Sequence, residues 1–302
     1  MPGWFPTGHR RRGEGLGLDQ LSEIERAQIL SRHRGNVWYV DSNAVAGGNG
    51  NSWSGAFLTV TLAMAAALAD DRILIAPLHA ENISTAAFIA CNKAGVTLIG
   101  FGNGRRRPVF TWTATAGTIT VTAADVSWQN CVFIGEGIDA VVTMFSVTAD
   151  GCTFSNCEFQ IGKTSFVPLL GITITGAINR FQFYDNYVHG KAVANCTNFI
   201  QIAGGGDGHR FEGNTIIGNF TTTLGCINNI TTLCTNVVIV DNTFVNATAS
   251  ATKVAVFLTG SYGIIMRNRT GVGSGAAPFS MDAGYWAGNW SCAAVATNGT
   301  LV

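Results

Sequence analysis

A six-residue frame, apolar-x-x-(Cys/Asn)-x-apolar, recurs seven times in this chain and constrains its fold more than any other feature. It reads WQNCVF (Trp128 to Phe133), FSNCEF (Phe154 to Phe159), FYDNYV (Phe183 to Val188), FEGNTI (Phe211 to Ile216), IVDNTF (Ile239 to Phe244), IMRNRT (Ile265 to Thr270) and WAGNWS (Trp286 to Ser291). The fourth position forms the column Cys131, Cys157, Asn186, Asn214, Asn242, Asn268 and Asn289, at intervals of 26, 29, 28, 28, 26 and 21 residues. Such a period marks a unit that cannot bury its apolar face alone and must stack on its neighbours. The last two copies lose the apolar final residue, as terminal repeats often do.

Within each period lie runs of Val, Ile, Thr and Phe in alternation, such as TITVTAADVSW and GITITGAINRFQF, split by Gly, Asn and Asp. That is strand chemistry punctuated by turns. Period and content together suit a coil of three short parallel strands stacked about 4.8 Å from the next. Equivalent residues then form straight columns. Trp128, Phe154, Phe183, Phe211, Ile239, Ile265 and Trp286 are expected to point inward, as are Phe133, Phe159, Val188, Ile216 and Phe244. The Cys/Asn column falls at a bend. There an Asn side chain can satisfy turn backbone that would otherwise be stranded, and a Cys fills the slot as a small apolar group. Charged residues make up only 12% of the chain and hydrophobic ones 47%, which fits a long core or an assembly. The eight cysteines lack paired CxxC spacing and read as buried free thiols. Neither a transmembrane run nor an apolar signal sequence is present.

Residues 1–36 differ in texture. They hold six Arg and four acids, with Trp4 and Phe5 ahead of Arg10, Arg11 and Arg12. The stretch Leu18 to Leu30 places Leu21 and Ile24 on one helical stripe. Trp4, Phe5, Arg10, Arg11, Arg12, Leu21 and Ile24 are the expected assembly contacts, because aromatics and Arg are enriched at interface hot spots.

The segment VWYVDSNAVAGGNGNSWSGAFLTVTLAMAAALADDRILIAPLHAENIS resembles the first coil and capping helix of the right-handed parallel β-helix (pectate-lyase-like) superfamily. Shared elements are the Gly-rich loop, Phe57-Leu58-Thr59, the Ala-rich helix, Asp71-Arg72-Ile73 and Pro77 to Glu81. Leu78 and His79 replace the family's usual Gly and Tyr. The resemblance implies an all-β fold: a right-handed single-stranded parallel β-helix of about nine coils, with an N-terminal capping helix and an N-terminal arm. The expected divisions are an arm over 1–36, the β-helix over 37–291 and a tail over 292–302.

The scaffold carries enzymes and inert structural proteins alike, so function rests on side chains. The family's galacturonan hydrolases use Asn-x-Asp, Asp-Asp, Gly-His-Gly and Arg-x-Lys on successive coils. Here Gly206-Asp207-Gly208-His209 occurs, but no Arg-x-Lys follows. No calcium-binding Asp cluster, zinc spacing, nucleophile elbow or nucleic-acid motif is legible. The one column with catalytic potential precedes the ladder: Asn130, Asn156, Asp185, Gly213, Asp241, Arg267 and Gly288. Asp185 and Asp241 would lie two coils, or about 9.6 Å, apart, near the upper limit of roughly 9.5 Å for an inverting glycosidase pair. Asp is also an ordinary turn residue, which is the reading preferred. His209 and Arg210 read as an exposed loop pair, His189 as a surface histidine, and Glu158 and Arg269 as solvated charges.

No enzyme activity, metal or cofactor is therefore expected. The arm and charge-poor solenoid resemble bacteriophage virion proteins. That implies a capsid decoration (cement) protein, a homotrimer in the virion, gripping the major capsid protein through its arm, with no nucleic acid or membrane partner. The alternative is a carbohydrate-active enzyme or glycan-binding β-helix, tailspike-like, with Asp185 and Asp241 as its acids.

Overall fold

The computed structural model describes residues 35–162, 168–190, 196–220, 224–248, 251–257, 259–272, 278–281, 283–293 and 300–301. The expected assembly contacts Trp4, Phe5, Arg10, Arg11, Arg12, Leu21 and Ile24 lie outside the described residues.

The chain is a parallel β-solenoid. Its three main sheets hold ten, ten and eight strands, stacked on their equivalents in adjacent periods, and a two-stranded sheet pairs Gly206–Asp207 with Cys234–Thr235. The first sheet runs from Val37–Val40 to Ala283–Ala287, the second from Ala80–Ile83 through Trp290–Ala293, and the third from Ile89–Cys91 to Phe279–Ser280. One pairing breaks the parallel rule. Thr300–Leu301 lies antiparallel on Trp290 and Ser291, so sheet continues past the boundary expected at residue 291.

Register follows the repeat. Trp128, Phe154, Phe183, Phe211, Ile239, Ile265 and Trp286 stand opposite one another in succession on the first sheet. Phe110, Phe133, Phe159, Val188, Ile216 and Phe244 do so on the second. All of these are buried except Trp286, which is 38% exposed on the last strand of its sheet. The aromatic members touch along the axis, Phe110 with Phe133 at 5.5 Å and Phe133 with Phe159 at 5.0 Å between ring centroids.

Between the first and second sheets each coil from Ser127–Gln129 onward turns through two residues. The second of them is the Cys/Asn column, and it forms a continuous hydrogen-bonded ladder. Asn186, Asn214, Asn242 and Asn268 each donate from backbone N to the Oδ1 of the next Asn, at 2.9–3.0 Å. Each Nδ2 also donates back across the bend, to Phe154, Phe183, Phe211 and Ile239 carbonyls respectively. Cys157 extends this pattern through its backbone N, which donates to Asn186 Oδ1 at 2.9 Å, while its thiol lies 3.4 Å from the Ser155 carbonyl and 3.7 Å from the Trp128 carbonyl that an Asn amide would reach. A thiol has no strong acceptor to offer in return, so the Asn-type ladder stops there. The seven described cysteines are free and buried, and burial pushes the Cys157 thiol up to about 12.

The segment carrying the family resemblance has a physical account. Asp71 accepts hydrogen bonds from Asn36 N, Trp38 Nε1 and Leu68 N at 2.6–2.8 Å, tying the first strand to the second. His79 Nδ1 accepts from Ser42 N, so its Nε2 carries the proton toward Glu81, 3.2 Å away. Glu81 in turn accepts from Val60 N at the start of the helix Val60–Ala66. That helix packs on the strands Val37–Val40, Arg72–Ile75 and Ile89–Cys91. Leu78 follows Pro77 at φ +64, and His79 N closes the turn onto the Ala76 carbonyl. This is a Pro-led turn whose third position favours Gly. Leu78→Gly is therefore expected to stabilise the protein by about 0.5–1 kcal/mol, the left-handed strain relieved less the extra chain entropy of Gly. Urea midpoints of the two proteins check it; a lower midpoint for the variant contradicts it.

Candidate functional site

The column once considered for catalysis is explained by backbone geometry. Asn130, Asn156, Asp185, Gly213, Asp241, Arg267 and Gly288 all have φ between +51 and +69. They occupy the first residue of each bend, which is left-handed, and Gly, Asn and Asp are the residues that tolerate it. Asp185 lies over the next coil, where a Cβ built on Gly213 would collide with its Oδ1. Asp241 holds Arg267 in a two-pronged ion pair at 2.7 and 2.9 Å.

The other end of the first sheet has a matching bend that the repeat frame did not reveal. Asp70, Gly95, Asp125, Gly151, Arg180, Gly208 and Asn236 are left-handed there. Beside them runs a second polar ladder. Asn179 N and Nδ2 donate to the Asp150 carboxylate, Asp207 N donates to Asn179 Oδ1, and Thr235 Oγ1 donates to Asp207 Oδ1. Those bonds hold the Asp150 and Asp207 carboxyls below the usual range. The sequence signal was present, as a small polar residue followed by a turn former once per coil.

His209 contradicts its expectation. It is fully buried, in the inward column that contains Cys152, Phe181 and Val237 in the neighbouring coils. Its Nε2 meets the Gly205 carbonyl at 3.3 Å and its Nδ1 has no partner. Burial pushes its pKa down, although Gly205, Asp207 and Asp150 act the other way. The folded protein thus keeps His209 neutral, while the unfolded chain takes a proton near pH 6.5. The sign follows: stability present above about pH 6.5 is lost as pH falls toward the folded pKa, at no more than about 1.4 kcal/mol per pH unit. His209→Phe is expected to flatten that loss between pH 7 and 5. Urea titrations at both pH values test it, and equal slopes for variant and parent would disprove it.

Glu158 also departs from its expectation as a solvated charge. It accepts from His189 Nε2 at 3.1 Å, from Gln160 Nε2 at 2.9 Å and from Arg107 Nη2. The His189 bond, opposed by burial and helped by Gln160 and Arg107, brings its pKa down to about 2. One residue of the Arg105 to Arg107 run is thus committed within the solenoid. His189 is part of this cluster, and its ring stacks on Tyr187 at 4.8 Å.

These groups belong to one outward strip. On the second sheet Glu158, Tyr187, Thr215, Thr243, Arg269 and Trp290 stand in register, one per coil. Tyr187 is 45% and Trp290 56% exposed. At the Trp290 end the strip deepens into an open depression lined by Asp241, Asn242, Thr243, Arg267, Arg269, Gly288 and Trp290. The arrangement offers flat aromatic faces next to guanidinium, carboxylate and amide groups. Among the described residues no three His, Cys, Asp or Glu side chains converge as metal ligands.

No family model matches the sequence, and no curated protein sequence does. Among the solved structures that match this chain are two lyases. A rhamnogalacturonan lyase aligns over 89% of this chain and 79% of its own, with a TM-score of 0.57 and 13% identity. A pectate lyase, Pel9A, aligns over 87% and 78%, with a TM-score of 0.46 and 16% identity. The resemblance to phage decoration proteins finds no support in the first of these. At such identity the first likeness is one of backbone architecture alone: both chains are parallel β-solenoids.

Proposed function

We propose that this protein is a glycan-binding β-solenoid whose ligand lies against the strip from Glu158 to Trp290. The observation that carries this reading is the pair of exposed rings, Tyr187 and Trp290, in one register column with planar hydrogen-bonding side chains beside them. Sugars present C–H faces that stack on aromatic rings and hydroxyls that pair with guanidinium, carboxylate and amide groups. The fold likeness to a polysaccharide lyase supports the same ligand class. Right-handed winding, about nine coils and a capping role for the helix Val60–Ala66 belong to this reading; parallel crossovers are right-handed in roughly 98% of cases.

Binding without cleavage is the form proposed. Glu158, held near 2 by His189 and Arg107, is a weak proton acceptor at neutral pH. Asp241 is tied to Arg267. The capsid-decoration reading rested on the arm, which lies outside the described residues, and it is set aside for the carbohydrate alternative.

Calorimetric titration of the full chain with plant and bacterial polysaccharides tests the proposal. At least one should bind, and Tyr187→Ala and Trp290→Ala should each weaken it about tenfold, or ~1.4 kcal/mol. No binding across the panel would overturn the reading. New chain ends released from any bound polysaccharide would overturn its non-catalytic form.

A further inference from the structure

We infer that the ligand is an extended, linear glycan that runs parallel to the solenoid axis and touches Tyr187 and Trp290 at once. This rests on the glycan-binding reading and goes beyond it by fixing the orientation and least length of the ligand. The ground is register. Tyr187 stands opposite Thr215, Thr215 opposite Thr243, Thr243 opposite Arg269 and Arg269 opposite Trp290. The two rings are therefore four coil steps apart in one straight column, a span of about 19 Å.

Between Tyr187 and Arg269 the column holds only Thr215 and Thr243, which are short and half-buried, leaving a low floor that Arg269 closes one coil before Trp290. A pyranose ring in an extended chain advances by nearly one coil spacing, so successive rings meet successive coils. Arg269, one coil before Trp290, is exposed and has no carboxylate partner among the described residues. It is placed to donate to the ring next to the one on Trp290. A chain lying across the solenoid would meet only one of the two aromatics.

Two sites on a stiff ligand make the second contact intramolecular once the first has formed. A di- or trisaccharide is too short to gain from this, whereas a chain of about five rings gains fully. Affinity should thus rise in a step and then level off.

The test uses the full chain and two linear series of two to seven rings, cello-oligosaccharides and oligogalacturonides, by calorimetry. In the series that binds, Kd should fall at least tenfold between three and five rings and change less than threefold thereafter. Tyr187→Ala and Trp290→Ala should each abolish the step and bind long chains as weakly as short ones. Tyr187→Phe and Trp290→Phe, which keep a ring, should retain it and show that lost folding is not the cause. Equal affinity for two and seven rings, or a step that survives either Ala substitution, would overturn the inference while leaving glycan binding intact. Absence of binding at every length, together with the polysaccharide panel, would overturn both.

Discussion

Asn214→Leu is expected to destabilise the solenoid by about 4 kcal/mol. Asn214 sits in the middle of the ladder, fully surrounded. Its Nδ2 donates to the Phe183 carbonyl at 2.6 Å and to Asn242 Oδ1 at 2.9 Å, and its Oδ1 accepts Asn186 N at 2.9 Å and Asn186 Nδ2 at 3.1 Å. Leucine removes all four bonds. Asn186 N and the Phe183 carbonyl lose these partners where water cannot reach, at about 1–3 kcal/mol each before relaxation, and Asn186 Nδ2 keeps its bond to the Phe154 carbonyl. The branched side chain also overfills a slot shaped for a planar amide. Asn214→Cys is the informative control. Cys157 already fills an equivalent slot, its thiol within reach of the Ser155 and Trp128 carbonyls, so the Cys variant should cost roughly half as much. Urea unfolding followed by circular dichroism measures both. A loss below about 1 kcal/mol for Leu would show that these bonds add little to coil-to-coil cohesion.

The same ladder shows what a sequence of this type discloses. Columns are legible because a period places one residue type at one angular position in every coil. Asn186, Asn214, Asn242, Asn268 and Asn289 stack as that period dictates. What a column cannot display is a partner from another part of the coil. Arg107 reaches Glu158 from 51 residues away, and no frame anchored on the ladder brings those two together. Asp185 and Asp241 are ambiguous for a related reason, since a left-handed bend and a catalytic acid both select Asp. The φ angles of the whole column, including Gly213 and Gly288, favour the turn reading preferred from the sequence. His209 was legible in principle. Cys152 and Phe181 directly precede the equivalent strands, Val237 opens its own, and all three are buried, but a polar residue in that column does not show the apolar signal.

Asp71→Ala is expected to cost about 3–4 kcal/mol and to release the first strand before the rest of the solenoid. The side chain is buried and gathers donors from three directions, Asn36 N, Trp38 Nε1 and Leu68 N. Burial alone would raise its pKa, but the bonds from Leu68, Trp38 and Asn36 more than offset it and leave the carboxyl below its ordinary value. A depressed carboxyl stabilises the fold above its unfolded pKa, near 3.9, and the contribution is lost as pH falls through the lower folded pKa. Alanine should remove that acid dependence and leave the three donors without an acceptor, each bond to a charged group being worth about 1.5–3 kcal/mol before relaxation. Asp71→Asn keeps one acceptor oxygen and should recover part of the loss. The damage should be local, because Val37–Val40 is the end strand of its sheet, paired with Arg72–Ile75 on one side and held on the other by loop bonds to Gly50 and Phe57, whereas inner coils have a full strand on both sides. Hydrogen exchange resolves this: in the Ala variant the amides of residues 37–40 should lose protection while those of the strands Phe154 to Phe211 keep theirs. If protection falls equally along the whole chain, the first coil and the interior unfold as one unit, and Asp71 anchors the solenoid rather than its end.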